Sequence, residues 1–171
     1  LAQLENAQCK FMVLSGSLPR GMPGDFYGQV AALMHRRNIP VVLDSSGPGL
    51  KGGLQEGRIF LVKPSIGELR QFTGQKLATP DEIANAAMEI VRSGQAAHVA
   101  VTMGHDGAIL ATATGQLFLP AASIEAKSAV GAGDSFLSAM LFAISIGWDT
   151  AEAFRFGIAA GAAAVMSPGH D

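Results

Sequence analysis

The chain has 171 residues, of which 49% are hydrophobic and 15% are charged, and its formal net charge at pH 7 is −2. This length and apolar share predict one globular domain with an extensive core. Acidic and basic residues are nearly balanced without long runs, which argues against a nucleic-acid-binding protein. The single cysteine, Cys9, excludes an internal disulfide and fits a reducing compartment. The apolar runs are too short to span a bilayer, so we expect a cytoplasmic protein with no membrane partner.

Short apolar runs alternate along the chain with segments of helical periodicity. Thr79-Pro80-Asp81-Glu82 has the pattern of a capping box with proline at the first helical position, and Gly94 closes the helix that it opens. The predicted strands are 11–14, 39–43, 60–62, 98–103, 108–111 and 116–119, and the predicted helices are 23–37, 50–56, 66–72, one between Thr79 and Gly94, 136–144 and a last helix capped by Asp149 with Glu152.

This alternation predicts an α/β fold with a doubly wound, mainly parallel sheet, helices on both faces and some antiparallel strands near residues 98–119. Ligands of such sheets bind beyond the carboxyl ends of the strands. Polar residues recur at that end of four successive strands, which predicts a shared cleft rather than four unrelated turns. They are Ser15-Gly16-Ser17, Asp44-Ser45-Ser46, Lys63-Pro64-Ser65 and Thr102-Met103-Gly104.

The segment Gly131-Ala132-Gly133-Asp134 lies where a buried apolar helix is predicted to begin. The first amides of a helix have no intrahelical partners, and glycine lets a ligand approach them, so this turn predicts an anion site. A carboxylate repels phosphate, but Asp134 is suited to act as a base toward an attacking hydroxyl. The alternative is that Asp134 only favours the helix dipole.

A second glycine pattern, Gly47-x-Gly49-x-x-Gly52 after a strand, matches the dinucleotide-binding fingerprint. Pro48 removes one amide, and Lys51-Gly52-Gly53 is a poor helix start, so we disfavour a nicotinamide enzyme. The phosphate-loop pattern Gly-x-x-x-x-Gly-Lys-Ser/Thr is absent. The histidines show no zinc-like pairing. In the last predicted helix, the glycines at 157 and 161 favour close packing.

Taken together, these segments make the sequence resemble the PfkB family of ribokinase-like carbohydrate kinases, in particular bacterial 6-phosphofructokinases of the PfkB type. The resemblance covers nearly the whole chain. Its markers are Ser15-Gly16-Ser17-Leu18-Pro19, Asp44-Ser45-Ser46-Gly47, Val62-Lys63-Pro64 with Glu68-Leu69, Thr102-Met103-Gly104 with Gly107, 130–135, and Phe156-Gly157 with Ala159-Ala160-Gly161.

The resemblance implies ATP-dependent phosphorylation of a sugar phosphate, with Mg²⁺ as cofactor and room for a monovalent cation. It assigns the anion hole to Gly131, Ala132 and Gly133 and the catalytic base to Asp134. Ser17 is implied to face the sugar phosphate. The remaining assignments are Asp44 and Glu68 to magnesium and its waters, and Lys63, Thr102, Gly104, Gly107 and Gly161 to the nucleotide.

Ser65 stands where many relatives have asparagine, and Gly67 where some have lysine. The acceptor is expected to be fructose 6-phosphate, with fructose 1-phosphate and tagatose 6-phosphate kinases as alternatives that share these motifs. A non-catalytic nucleotide-binding domain is the alternative of another class. We expect residues 1–171 to be a single nucleotide-binding domain of a longer kinase, lacking the N-terminal sugar-binding and lid region and the extreme C-terminus. That full-length protein is expected to form a homodimer.

Overall fold

The computed structural model describes residue 4 and residues 8–122 and 130–166. Six strands form one sheet in the order β1-β2-β3-β4-β5-β6. The elements are β1 (Met12–Ser15), α1 (Phe26–Arg36), β2 (Val41–Asp44), α2 (Gly47–Glu56), β3 (Ile59–Val62), α3 (Ile66–Thr73), α4 (Pro80–Arg92), β4 (Ala96–Thr102), β5 (Ala108–Thr112), β6 (Gly115–Leu119), α5 (Ala132–Ser145) and α6 (Thr150–Met166).

Strands β1 to β4 pair in parallel, and the register aligns Ser15 with Asp44 and Leu43 with Val62. Strands β2 and β3 are buried except for the half-buried Asp44 and Phe60, which fits their continuous rather than alternating apolar sequences. Together with β5 and β6, the strands make a mixed sheet with some antiparallel strands. The predicted α/β class is confirmed.

By the density of their internal contacts, the residues divide into two compact units. The first unit contains the described residues up to Val101 together with Ala111–Gln116. The second contains Thr102–Leu110 and the described residues from Leu117 onward. None of the helices in the described ranges combines the length and the apolar character needed to cross a bilayer.

Helix caps fall where the sequence predicts them. Thr79 and Glu82 form the capping box of α4. The Asp149 carboxylate accepts the amides of Ala151 at 2.8 Å and Glu152 at 3.0 Å at the start of α6. The bond from the Glu152 amide is the largest cause that lowers the pKa of Asp149 below its ordinary value. Both predicted helix starts are confirmed.

The start of α2 is a correction. Lys51-Gly52-Gly53 was expected to begin a helix poorly, but the helix already begins at Gly47, with Pro48 in its first turn. Pro48 occupies a favoured position in the first turn, and the glycines of α2 allow close packing against α1 and β2. A Cβ on Gly28 of α1 would lie 2.7 Å from the Gly52 carbonyl oxygen, and one on Gly53 would lie 2.6 Å from a methyl carbon of Leu43. The low helix propensity of these glycines is offset by the approach that they allow.

Candidate active site

In the first unit, Asp44 and Lys63 form a buried ion pair. Asp44 ends β2 and Lys63 follows β3, so the parallel register brings both to the carboxyl edge of the sheet. The Lys63 Nζ lies 3.0 Å from Asp44 Oδ1, and the side chains are only 7% and 14% exposed, respectively. The structure thus confirms that these two residues lie together. The assignments of Lys63 to the nucleotide and of Asp44 to magnesium stay predictions. A nucleotide bound by Lys63, or a magnesium ion bound by Asp44, would bind a residue that is already in an ion pair.

Glu68 has a structural role at the start of α3. Its Oε2 accepts the Ser65 amide at 2.7 Å, and Ser65 Oγ accepts the Glu68 amide at 3.3 Å, which completes a capping box. Ser65 therefore serves as the N-cap of α3. The second oxygen of Glu68, Oε1, takes no part in this capping bond, so it is the more accessible oxygen for a metal at Glu68.

The donor chemistry of Asp44 and Glu68 fits magnesium rather than a soft metal, because both supply carboxylate oxygens. Magnesium is commonly held by one or two carboxylates together with water and phosphate oxygens. Among the described residues, no three His, Cys, Asp or Glu side chains group together as a metal cage. Asp44 and Glu68 would therefore hold a magnesium ion only together with a bound phosphate and with water molecules on the ion.

The turn Ser15-Gly16-Ser17 follows β1. Gly16 has a φ of +85°, a conformation that favours glycine, and its amide donates to the Asp44 carbonyl at 2.9 Å. Ser17 is exposed. The carbonyl of Gly16 accepts hydrogen bonds from Ser45 Oγ at 2.8 Å and from the Tyr27 hydroxyl at 3.2 Å. Tyr27 was not identified from the sequence, and Ser45 was noted only as one of the polar residues after β2, since each acts here through a tertiary contact.

In the second unit, Thr102 ends β4 and leads into a 3₁₀ turn over Gly104–Asp106. Gly104 is exposed with a φ of +61°. Gly107 is buried with a φ of +103°, and a Cβ there would collide with the carbonyl oxygen of Leu119. Its amide donates to the Gly104 carbonyl and its own carbonyl accepts the Met103 amide. Backbone geometry thus requires glycine at 107, and nucleotide contact by Thr102, Gly104 and Gly107 stays a prediction.

Helix α5 begins as the sequence predicts, with Gly131 as its N-cap and Ala132 as its first helical residue. Gly131 adopts the left-handed conformation, φ +80°, and no side chain caps the helix within the described residues. The amides of Ala132, Gly133 and Asp134 are the first in the helix, so they have no intrahelical acceptors. Asp134, in the same first turn, is exposed. This arrangement can bind an anion on the backbone and present a carboxylate beside it.

Helix α6 packs closely against this first turn. A Cβ on Gly161 would lie 3.1 Å from the Ala132 carbonyl oxygen, and one on Gly157 would lie 2.9 Å from the Phe136 carbonyl oxygen. The Phe136 and Phe154 rings meet edge to face, with centroids 5.7 Å apart. The predicted packing role of these glycines is confirmed. The assignment of Gly161 to the nucleotide stays a prediction, and the residue contributes by holding α6 against Ala132.

With this geometry described, comparison with known proteins identifies the family. A family model described as pfkB family carbohydrate kinase matches residues 1–171. The chain belongs to the pfkB family. The resemblance drawn from the sequence is therefore confirmed, and so is the ribokinase-like fold: a structure of Arabidopsis thaliana ribokinase with ribose and ATP superposes with a TM-score of 0.72 at 26% identity, covering 90% of this chain and 50% of that one.

Similar pfkB proteins include phosphofructokinases of two kinds. The ATP-dependent 6-phosphofructokinase isozyme 2 of Mycobacterium tuberculosis is 40% identical over 163 residues, or 95% of this chain and 48% of that protein. The 1-phosphofructokinase of Bacillus subtilis is 36% identical over 156 residues, or 91% of this chain and 51% of that protein. A structure of Escherichia coli phosphofructokinase-2 in complex with potassium has a TM-score of 0.93 at 35% identity, covering 98% of this chain and 55% of that one. The chain thus spans about half the length of these relatives.

Proposed function

We propose that the full-length protein carrying this chain transfers the γ-phosphate of ATP to fructose 6-phosphate, forming fructose 1,6-bisphosphate and ADP. The observation that carries this proposal is the start of α5, where Gly131 opens a helix whose first amides meet no capping side chain from the described residues, and Asp134 lies in the same turn. Membership in a family of carbohydrate kinases supports the reaction class.

The start of α5 suits phosphoryl transfer because its backbone amides carry partial positive charge and the transferred group is negatively charged. Phosphoryl transfer depends on positioning and on stabilising the charge of the transferred group, and backbone amides at a helix start supply fixed positive dipoles for that purpose. The acceptor hydroxyl oxygen attacks the γ-phosphorus, the bond from that phosphorus to the bridging oxygen of ADP breaks, and Asp134 takes the hydroxyl proton.

The other candidate residues supply the remaining groups in this proposal. Asp44 and Glu68 would bind Mg²⁺, which neutralises phosphate charge when bound. Lys63 and the Thr102–Gly107 segment would bind the nucleotide, with Gly161 beside α5. Ser17, exposed after β1, would contact the sugar phosphate. A monovalent cation is part of the proposal because an E. coli relative was solved with potassium.

The choice of acceptor rests on the relatives. A structure of the E. coli phosphofructokinase-2 was solved in complex with fructose-6-phosphate, at 34% identity to this chain. 1-Phosphofructokinase is the second candidate, because the B. subtilis enzyme is 36% identical, as is the E. coli 6-phosphofructokinase isozyme 2. Tagatose 6-phosphate remains the third acceptor to test. For the assembly, we propose a homodimer in the cytoplasm; a tetrameric inhibited form is known for the E. coli relative.

A panel of acceptors tests the proposal. ADP release by the full-length protein is measured with fructose 6-phosphate, fructose 1-phosphate and tagatose 6-phosphate at saturating MgATP. We expect the highest kcat/KM for fructose 6-phosphate. A higher kcat/KM for either of the other sugars would show that fructose 6-phosphate is the wrong acceptor, while the kinase reaction itself would still hold. ATP binding without transfer to any acceptor would instead support the non-catalytic nucleotide-binding domain.

A further inference from the structure

Two hydroxyl groups from outside the Ser15-Gly16-Ser17 turn hold its carbonyl groups. Ser45 Oγ donates to the Gly16 carbonyl at 2.8 Å. The Tyr27 hydroxyl lies 3.1 Å from the Ser15 carbonyl oxygen and 3.2 Å from that of Gly16, so its one hydrogen is shared between them. The turn is therefore tied both to α1, through Tyr27, and to the segment after β2, through Ser45.

The pairing of β1 with β2 holds Ser15 in register with Asp44, and the next two residues are exposed. Ser15, Gly16 and Ser17 are exposed, and apart from the two chain neighbours no described residue has an atom within 4 Å of the position that a Cβ on Gly16 would occupy. The Gly16 amide bond to the Asp44 carbonyl fixes one side of the turn. The position of the turn's carbonyl groups depends on the hydroxyl groups of Tyr27 and Ser45. Ser45 itself is only 4% exposed.

Gly49 provides the space in which both of these side chains lie. A Cβ at position 49 would lie 2.5 Å from Ser45 Oγ and 3.0 Å from the nearest carbon of the Tyr27 ring. Distances this short require the hydroxyl or the ring to move. The central glycine of the Gly47–Gly52 pattern, which resembles a dinucleotide fingerprint, therefore serves to seat Tyr27 and Ser45.

We infer that Tyr27 and Ser45, seated against Gly49, are positioning residues for the acceptor. They fix the turn that carries Ser17 and so fix where the sugar phosphate is held. This inference rests on the proposed function, in which Ser17 contacts that phosphate. We expect a displaced turn to weaken acceptor binding and orientation more than ATP binding.

The test uses Tyr27→Phe in the full-length protein, since phenylalanine keeps the ring and removes only the hydroxyl. We expect the KM for fructose 6-phosphate to rise about threefold to tenfold, the factor that corresponds to one net hydrogen bond, while the KM for ATP stays within about twofold. Ser45→Ala should act in the same direction. Ser93→Ala is the matched control, because Ser93 also donates to a backbone carbonyl, that of Ile90, away from the turn. The control should lose as much thermal stability as Tyr27→Phe and leave both KM values unchanged.

Amide hydrogen exchange separates this inference from the proposed function. The Gly16 and Ser17 amides should exchange faster in Tyr27→Phe and in Gly49→Ala than in the wild-type protein, whatever the protein phosphorylates. If exchange at the turn and the KM for fructose 6-phosphate both stay at wild-type values in Tyr27→Phe, the positioning role is refuted. If the wild-type protein phosphorylates no sugar, the proposed function fails. Independently of that result, unchanged amide exchange in the variants would refute the role of Tyr27 in holding the turn.

Discussion

Replacing Lys63 with methionine should lower the free energy of unfolding by about 3 kcal/mol, because the change leaves a buried carboxylate without its cation. Lys63 Nζ is 3.0 Å from Asp44 Oδ1, and the Lys63 side chain is 7% exposed, so methionine fills the space without replacing the charge. Breaking a buried pair by removing one partner typically costs about 3–5 kcal/mol. The lower end applies here, because the Asp44 side chain keeps 14% of its surface in contact with water.

Urea unfolding measures this loss. With a slope of about 2 kcal/mol per molar urea, the midpoint should fall by about 1.5 M. The double variant Asp44→Asn with Lys63→Met removes both charges and should recover most of the loss, to within about 1 kcal/mol of wild type. Lys51→Met is the control, since Lys51 is exposed on α2, and should change stability by less than about 0.5 kcal/mol. A loss below about 1 kcal/mol for Lys63→Met, or a double variant less stable than the single one, would refute the buried-pair reasoning.

Two further predictions concern the start of α5 and the 171-residue chain on its own. Gly131→Ala and Gly147→Ala place the same side chain at the two ends of α5, each at a positive φ and with no described residue close to the added Cβ, so both should destabilise by about 1–2 kcal/mol. Only Gly131→Ala should reduce ATP-dependent turnover of the full-length protein, and equal turnover in both variants would show that no phosphate is bound at this turn. The 171-residue chain alone should bind adenine nucleotide weakly and phosphorylate no sugar, because the chain spans about half the length of its relatives and Ser15 to Leu18 is the only stretch assigned to the acceptor. ADP release with fructose 6-phosphate at the rate of the full-length protein would contradict this.

The sequence predicts those features that depend on local pattern. The order of strands and helices, the capping box at Thr79 and the helix start at Gly131 are all decided within a few residues, by periodicity and by the conformational freedom of glycine. The resemblance to the pfkB family then supplies the reaction class, because the markers recur along nearly the whole chain.

Features that depend on tertiary contact were missed. The pairing of Lys63 with Asp44 requires the parallel register of β2 and β3, which no local pattern encodes. The glycines of α2 pack against α1 and Leu43, a gain that helix propensity alone does not include. The capping role of Glu68 is different, because it is local. Glu68 was assigned to magnesium, but its bond to the Ser65 amide could have been predicted from the Ser-x-x-Glu spacing that marks a capping box.

We propose that Asp134 takes the acceptor proton beside the amides at the start of α5. The most direct test of this proposal is the turnover of Asp134→Asn in the full-length protein, with ATP affinity measured on the same sample. Asparagine keeps the shape of the side chain and removes the base. A positioned general base contributes about 10²–10⁴ in rate, so kcat should fall at least a hundredfold while the dissociation constant for ATP changes by no more than a few-fold. Turnover within tenfold of wild type would contradict the assignment of Asp134 as the base.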